Sequence, residues 1–168
     1  MTHAFTVSAV IPASAKQIYD AWLNGRAHGL MTGTKSEAAS ARVGGTFTVY
    51  DGYIMGHNLE LVPAKKIVQA WRTTQFTDAD ADSQIAVTFA KAASGTKVTL
   101  KHSNVPDSHR SYDSGWVEYY FKPMKTYFVS LAPKPKTKAK PKAKAKAKPA
   151  KAKTKPKRKP AKRVTKKK

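Results

Sequence analysis

The sequence predicts an α+β domain of the helix-grip type, in which a curved antiparallel sheet of about six to seven strands wraps around a long C-terminal helix. Two short helices follow the first strand, and a disordered basic tail ends the chain. Three observations carry this. Residues 46–102 break into short β-branched runs joined by turns containing Gly and Pro, the pattern of an antiparallel meander. Residues 108–131 place Trp116, Tyr120, Met124, Tyr127 and Leu131 at helical spacing. Beyond Leu131 the composition changes abruptly to Lys, Ala and Pro, so the domain is assigned to residues 1–132 and the tail to 133–168.

Residues 3–11, HAFTVSAVI, alternate and are β-branched, hence a strand, which Pro12 ends. Ser14 suits the cap of the next helix, AKQIYDAWL, and Gln17 three residues on completes a capping box. Ile18, Ala21 and Trp22 share a face of that helix, and Asn24 with Gly25 stops it. Residues 26–31 form a second short helix or a loop. A weak strand is expected over 35–42, then Gly44 and Gly45, then a strand over 46–50 turned by Asp51 and Gly52, a hairpin signal. Strands over 53–62, 66–74, 84–91 and 97–102 follow; Pro63 ends the first, and Ser94 with Gly95 turns the last pair. Phe47 with Val49, Leu59 with Leu61, Ile67 with Trp71, Ile85 with Val87 and Phe89, and Val98 with Leu100 each share a face, which gives the sheet one buried side. In the terminal helix Glu118, Lys122, Lys125 and Thr126 mark the wet face. Pro123 is expected to kink that helix about one turn upstream.

The net charge of +22 belongs almost wholly to the tail. Residues 133–168 hold 17 Lys, 2 Arg and no acid, whereas residues 1–132 hold 13 basic and 10 acidic side chains. No cysteine is present, which excludes disulfides and thiolate metal sites. The opening MTHAFTVSAVIPAS has neither a basic region nor a long apolar run, so no secretory signal is expected. No stretch approaches the roughly 18 apolar residues that span a bilayer. The expected location is the cytoplasm, in association with the nucleoid, or the nucleus of a eukaryotic host.

Within the tail only Val164 is apolar beyond Ala or Pro, and lysine repulsion and six prolines oppose a helix. An extended arm follows, with a reach of roughly 110 Å. Its cations are Lys134, Lys136, Lys138, Lys140, Lys142, Lys144, Lys146, Lys148, Lys151, Lys153, Lys155, Lys157, Arg158, Lys159, Lys162, Arg163, Lys166, Lys167 and Lys168, the candidate nucleic-acid contacts. Counterion release from phosphate backbones drives such binding and makes it salt-sensitive. The tail has no aromatic side chain, so base stacking and sequence readout are not expected. Residues 155–160, KPKRKP, also fit a nuclear localisation signal. Other polyanions (polyphosphate, an anionic membrane, an acidic protein) and a purely solubilising role remain the alternatives.

The Lys/Ala/Pro composition resembles the tails of linker histones and bacterial histone-like proteins. The domain carries a second resemblance. Residues 45–71, GTFTVYDGYIMGHNLELVPAKKIVQAW, combine a Gly before the long strand, the run LELVP, a basic pair and a strand closing on Trp. Residues 97–106, KVTLKHSNVP, and Gly115 with Trp116 opening an aromatic helix agree with them in order. Together these segments resemble the activator of heat-shock protein 90 ATPase homologue family, over roughly residues 3–131. The resemblance implies a START-like, polyketide-cyclase-like domain, whose relatives enclose an apolar cavity between sheet and helix and bind lipids, hormones or polyketides, act as enzymes, or have no known ligand. The tail lies outside that family's pattern.

Candidate cavity residues are those on the inferred inward faces: Phe47, Met55, His57, Trp71, Phe89, Leu100, His102, Trp116, Tyr120, Met124 and Tyr127. Plain core packing is the alternative at each of them. His3, His28, His57, His102 and His109 show no metal-ligand spacing. Asp78, Asp80 and Asp82 alternate like the start of a calcium loop, but Ser83 and Phe89 stand where the glycine and glutamate of that loop belong, which favours a solvated turn. No nucleophile elbow, P-loop or dinucleotide fingerprint is present. The expectation is a non-enzymatic domain, without cofactor, whose tail binds nucleic acid (DNA first) without sequence specificity. The rivals are a carrier or sensor of a small hydrophobic ligand localised by its tail, and a co-chaperone that activates a chaperone ATPase.

Overall fold

A computed structural model describes residues 1–34 and 38–132 of the protein; the tail cations named above all lie outside the described residues. Alternation along the chain builds the sheet. Its strands are β1 (Thr2–Ile11), β2 (Thr46–Val49), β3 (Ile54–Val62), β4 (Lys66–Thr73), β5 (Ser83–Ala92) and β6 (Gly95–Pro106). They form one six-stranded sheet in the order β1-β6-β5-β4-β3-β2, every pair antiparallel. Strands β2 to β6 are the meander, and β1 joins its far edge with Val7 opposite Leu100. Phe47, Val49, Ile54, Ile67, Trp71, Ile85, Val87, Val98 and Leu100 are buried. Leu59 was expected on that buried face, but it is 41 % exposed. A bulge between Asn58 and Glu60 leaves Leu59 unpaired and changes the alternation there.

Helix α1 (Ala15–Trp22) begins with the expected capping box: Gln17 N–H donates to Ser14 Oγ at 3.3 Å, and Ser14 N–H donates to Gln17 Oε1 at 3.0 Å. Asn24 does more than stop α1. Its Oδ1 accepts from Ala27 N–H at 3.0 Å and so starts α2 (Gly25–Thr32), which settles the helix-or-loop question for this stretch. The weak strand expected over 35–42 is not a strand at residues 38–42; residues 35–37 lie outside the described residues. The reason is side-chain capture. The buried Asn58 donates through Nδ2 to the carbonyls of Ser40 (2.6 Å) and Arg42 (3.0 Å), so these acceptors serve a side chain instead of a ladder. Asn58 is in turn fixed by Gln69, which accepts from Trp22 Nε1.

The terminal helix departs from expectation at both its start and its middle. A 3₁₀ turn spans Asp107–His109, and the helix proper opens with α3 (Tyr112–Gly115). Residues Trp116–Phe121 then form a π-helical turn before α4 (Lys122–Leu131). The Lys122 N–H reaches back five residues to the Val117 carbonyl. Pro123 explains the widening. It has no N–H for the carbonyl four residues back, Tyr119, and its ring would crowd that carbonyl, so the preceding turn opens. The Tyr50 hydroxyl then donates to the freed Tyr119 oxygen at 2.8 Å.

The helix lies against the concave face through Trp116, Tyr120, Met124 and Phe128, all buried in one core with Trp22 and the sheet. Each such side chain contributes about 2 kcal/mol of burial. The result is a helix-grip domain. No helix among the described residues is long and apolar enough to cross a membrane.

Candidate functional site: an aromatic cleft

One cleft, of about 460 Å³, opens where the β2–β3 turn, the end of β4 and the wide helical turn converge. Tyr50, Tyr53 and Ile54 form one wall, Trp71 and Gln75 the floor, and Ser111, Tyr112, Gly115, Trp116, Tyr119 and Tyr120 the other wall. These side chains are aromatic, hydroxyl, amide or aliphatic; none is a carboxylate, an amine or an imidazole. Such a lining suits an apolar, planar molecule with a few polar atoms.

Backbone conformation puts the tyrosines there. Tyr50 (φ 57°), Asp51 (φ 54°) and Gly52 (φ 84°) are all left-handed, which folds the turn back over the sheet towards the helix. The Tyr50–Tyr119 hydrogen bond closes that side of the cleft. Tyr53 donates to Gln75 Oε1 at 3.1 Å, and the Tyr112 and Thr73 hydroxyls share a bond of 3.0 Å. Burial pushes the Tyr50 hydroxyl up to about 12, and the neighbouring Tyr119 adds to this. Burial likewise pushes Tyr112 up to about 12. Both rings therefore stay neutral at physiological pH.

Behind the floor lies a fully buried polar chain. Trp116 Nε1–H donates to His102 Nδ1 at 3.1 Å. Since indole only donates, His102 Nδ1 must accept, and its proton sits on Nε2. That Nε2–H donates to Ser83 Oγ at 2.8 Å, and Ser83 donates to the Trp71 carbonyl at 2.6 Å. Burial lowers His102 to about 3, and the nearby His3 charge adds to this. The Ser83–His102 pair looks like a nucleophile and its base, but the tautomer forbids that role. The imidazole nitrogen facing Ser83 already holds a proton, and Ser83 is only 1 % exposed.

Of the eleven side chains expected to line a cavity, Trp71, Trp116 and Tyr120 line this cleft. Leu100, His102 and Met124 are enclosed in the core, each at 0 % exposure. Phe47 is buried beside Gly56, with its ring where a side chain at that position would stand. Phe89 is half-buried against Tyr19, and Tyr127 against Phe128, both away from the cleft. Met55 and His57 do not face inward. Ile54 and Asn58 are the buried positions of β3, so alternation turns Met55 and His57 to the opposite face, paired with Arg72 and Ala70. Tyr50, Tyr53, Gln75, Tyr112 and Tyr119 were missed. The signal for the tyrosines was their density on both sides of Asp51 and Gly52 and on both sides of Trp116, which reads as wet turn and helix surface until the two are brought together.

The acidic run is occupied by its own loop. Asp80 accepts from the Thr77 backbone (2.9 Å) and hydroxyl (2.8 Å), which lowers its carboxyl below the usual value, and Asp82 pairs with Arg72 at 3.0 Å. Among the described residues no three His, Asp or Glu side chains stand together as a metal site would need.

Comparison with known proteins agrees with this fold. Residues 12–129 match the family described as Activator of Hsp90 ATPase homolog 1-like protein. An activator of 90 kDa heat shock protein ATPase homolog from Dictyostelium discoideum is 35 % identical over 75 residues, 44 % of this chain and 19 % of that protein. The human homolog 1 is 30 % identical over 86 residues, 51 % of this chain and 25 % of that protein. The chain thus spans only about a fifth to a quarter of these curated relatives. Among solved structures, an HSP90 activator from Plasmodium falciparum superposes with a TM-score of 0.66 at 20 % identity, over 73 % of this chain and 94 % of that one. A protein from Chromobacterium violaceum gives 0.60 at 22 % identity, over 74 % and 96 %. At those identities the superpositions speak for the fold alone. The match over most of the domain establishes that this chain belongs to the Activator of Hsp90 ATPase homolog 1-like family, with its START-like fold.

Proposed function

We propose that the protein is a non-enzymatic binding module: the domain holds one small, uncharged, largely apolar molecule in the aromatic cleft, and the lysine-rich tail tethers it to nucleic acid in the nucleoid or nucleus. The observation that carries the first half is the cleft lining, with five tyrosines and two tryptophans around about 460 Å³ and no carboxylate, amine or imidazole among them. A binding role is also favoured by the buried His102–Ser83 pair, whose tautomer leaves no base to activate the serine. Native mass spectrometry of gently purified full-length protein tests the cleft: a retained small molecule, displaced by apolar probes, supports it. A protein that quenches with no apolar probe and carries no ligand would refute it.

The second half rests on the 19 positive and no negative charges of residues 133–168. A salt-titrated gel shift on unrelated DNA and RNA fragments tests it. Full-length protein should bind all fragments alike and lose affinity steeply with salt, and deletion of residues 133–168 should abolish binding. Full affinity in the truncated domain would sink the idea.

A further reading comes from the curated relatives, whose names describe activation of a 90 kDa heat-shock ATPase. Under it the domain docks on that chaperone and raises its ATP turnover. Turnover of the purified chaperone with and without this protein decides it, with no acceleration at saturating protein counting against it.

A further inference from the structure

The sheet has two outer edges, and the chain treats them differently. At β2 the edge is four residues long and the loop before it closes over it, with Thr48 N–H donating to the Ala38 carbonyl at 2.9 Å. At β1 the edge is ten residues long. Its backbone directions follow from the β5–β6 hairpin. Only Ala93 and Ser94 join those strands, so Ala92 and Gly95 exchange backbone hydrogen bonds. Alternation then turns Thr96, Val98, Leu100 and His102 towards β1, opposite Ile11, Ala9, Val7 and Phe5. The N–H and C=O groups of the intervening residues, Ala4, Thr6, Ser8 and Val10, point out of the sheet, and those of Thr2 follow the same period. Among the described residues no other group bonds them.

An open edge of this length invites pairing, and proteins normally blunt one with lysine, proline, a bulge or a cover. The strand THAFTVSAVI has no Lys, Arg, Asp, Glu or Pro. Its one register shift against β6 puts the extra residue on β6, so β1 stays regular. On the helix side Phe5, Val7 and Ala9 are only partly buried.

We infer that β1 is a dimerisation edge: it pairs with the β1 of a second copy, antiparallel about a two-fold axis at Thr6, and continues the sheet from one copy into the other. The strand's own sequence selects that occupant and register. A two-fold pairing must bring outward-bonding residues opposite one another, so its centre falls on one of them. Only Thr6 uses the whole of residues 2–10. It sets Thr6 opposite Thr6, Ser8 opposite Ala4 and Val10 opposite Thr2, with about ten backbone hydrogen bonds, as many as an ordinary interface carries. On the helix side it sets Phe5 of each copy against Val7 of the other, an aromatic–β-branched pair that deepens the burial of both. Charge permits the match. The nearest lysines, Lys97 and Lys101, stand one strand inward, opposite Val10 and Thr6. Across the axis the two Lys101 positions are three strand spacings apart, about 14 Å, which exceeds the screening length. A single strand is a small interface, so association should be reversible at roughly micromolar concentration.

Thr6 is exposed and would face its own copy, which makes charge reversal the test. Full-length wild type, Thr6→Lys and Thr6→Glu are compared by sedimentation velocity at physiological salt, from about 1 to 500 µM. Wild type should dimerise. Each variant alone should need about five-fold more protein, because like charges meet across the axis, and an equimolar mixture of the two should dimerise at least as readily as wild type. Wild type that stays monomeric overturns the inference and leaves the edge to a strand of another protein. A dimer indifferent to either charge, or one weakened by both without rescue in the mixture, overturns pairing at Thr6. Amide exchange of wild type decides alone should a variant fail to fold. The Thr6, Ser8 and Val10 N–H groups should exchange more slowly as concentration rises, while those of Val7 and Ala9 are protected throughout. Exchange at Thr6 and Ser8 that ignores concentration overturns the inference as well.

Discussion

Lowering the pH from about 7 to about 4.5 should destabilise the domain through one side chain, His102. In the unfolded chain this imidazole titrates near 6.5, whereas in the fold it is held to about 3, by burial first and by the charge of His3 second. The folded-state value is the depressed one, so below about 6.5 the unfolded chain takes up a proton that the folded chain refuses. The stability contribution is complete above 6.5. It falls by about 1.4 kcal/mol for each pH unit below that and levels out near 3. Two units of acidification thus cost about 3 kcal/mol, a large share of the roughly 5–15 kcal/mol available to a domain. Urea unfolding of the full-length protein across this range is the assay. The tail has no histidine and no acid, so its side chains do not titrate there. His102→Gln is the control: an amide can accept from Trp116 and donate to Ser83, but it does not titrate. The variant should be less stable at neutral pH, and its stability should fall more gently with acid than wild type does, by about 1.4 kcal/mol per unit. Other groups titrate in both proteins and cancel. Parallel pH profiles for the two would show that His102 is not held neutral by the fold, and would refute the tautomer argument built on it.

Tyr50→Phe should cost about 1 kcal/mol in the same urea assay, the worth of one partly exposed hydrogen bond. Amide exchange around Tyr119 should quicken in this variant, because the carbonyl freed by Pro123 loses its donor; unchanged exchange there would separate Tyr50 from the wide turn. Gly56→Ala should cost about 3 kcal/mol or more. A methyl group at Gly56 would collide with the Ala70 carbonyl and come within 2.8 Å of Phe47 Cζ, and the backbone partner has little room to yield. A near-neutral urea midpoint would mean that the two strands separate more easily there than their pairing suggests.

Much of the fold was legible because its signals are local. Strand alternation, the Ser14 capping box, the Asp51–Gly52 turn and the aromatic stripe of the last helix each depend on residues within about one turn or one hairpin of each other. The errors came where a distant partner decided the matter. Residues 38–42 have strand-like composition, but Asn58, sixteen to eighteen positions on, takes their carbonyls. Pro123 announced a kink, but whether the helix would break or widen depended on a donor for the Tyr119 carbonyl, and Tyr50 is 69 residues away. A single bulge at Leu59 was enough to change the facing of β3 relative to simple alternation. The site suffered most, because its tyrosines lie on a turn and on a helix that only the tertiary fold brings together. His102 was singled out as an inward residue, and the structure gives it a structural bond network in place of an open cavity wall.

The proposed functions rest on different forces, and this separates them experimentally. No charged side chain lines the cleft, so affinity for a neutral ligand there should change little with ionic strength. The tail carries 19 cations, so its hold on DNA should fall as the logarithm of salt, with a slope of about −0.9 for each phosphate neutralised. Full-length protein loaded with a fluorescent apolar probe and bound to immobilised DNA should therefore elute in rising salt with its probe still attached. Release of probe and DNA at the same salt step would contradict this. It would mean that tail and cleft form one coupled site, and that an electrostatic contribution to ligand binding comes from residues outside the cleft lining.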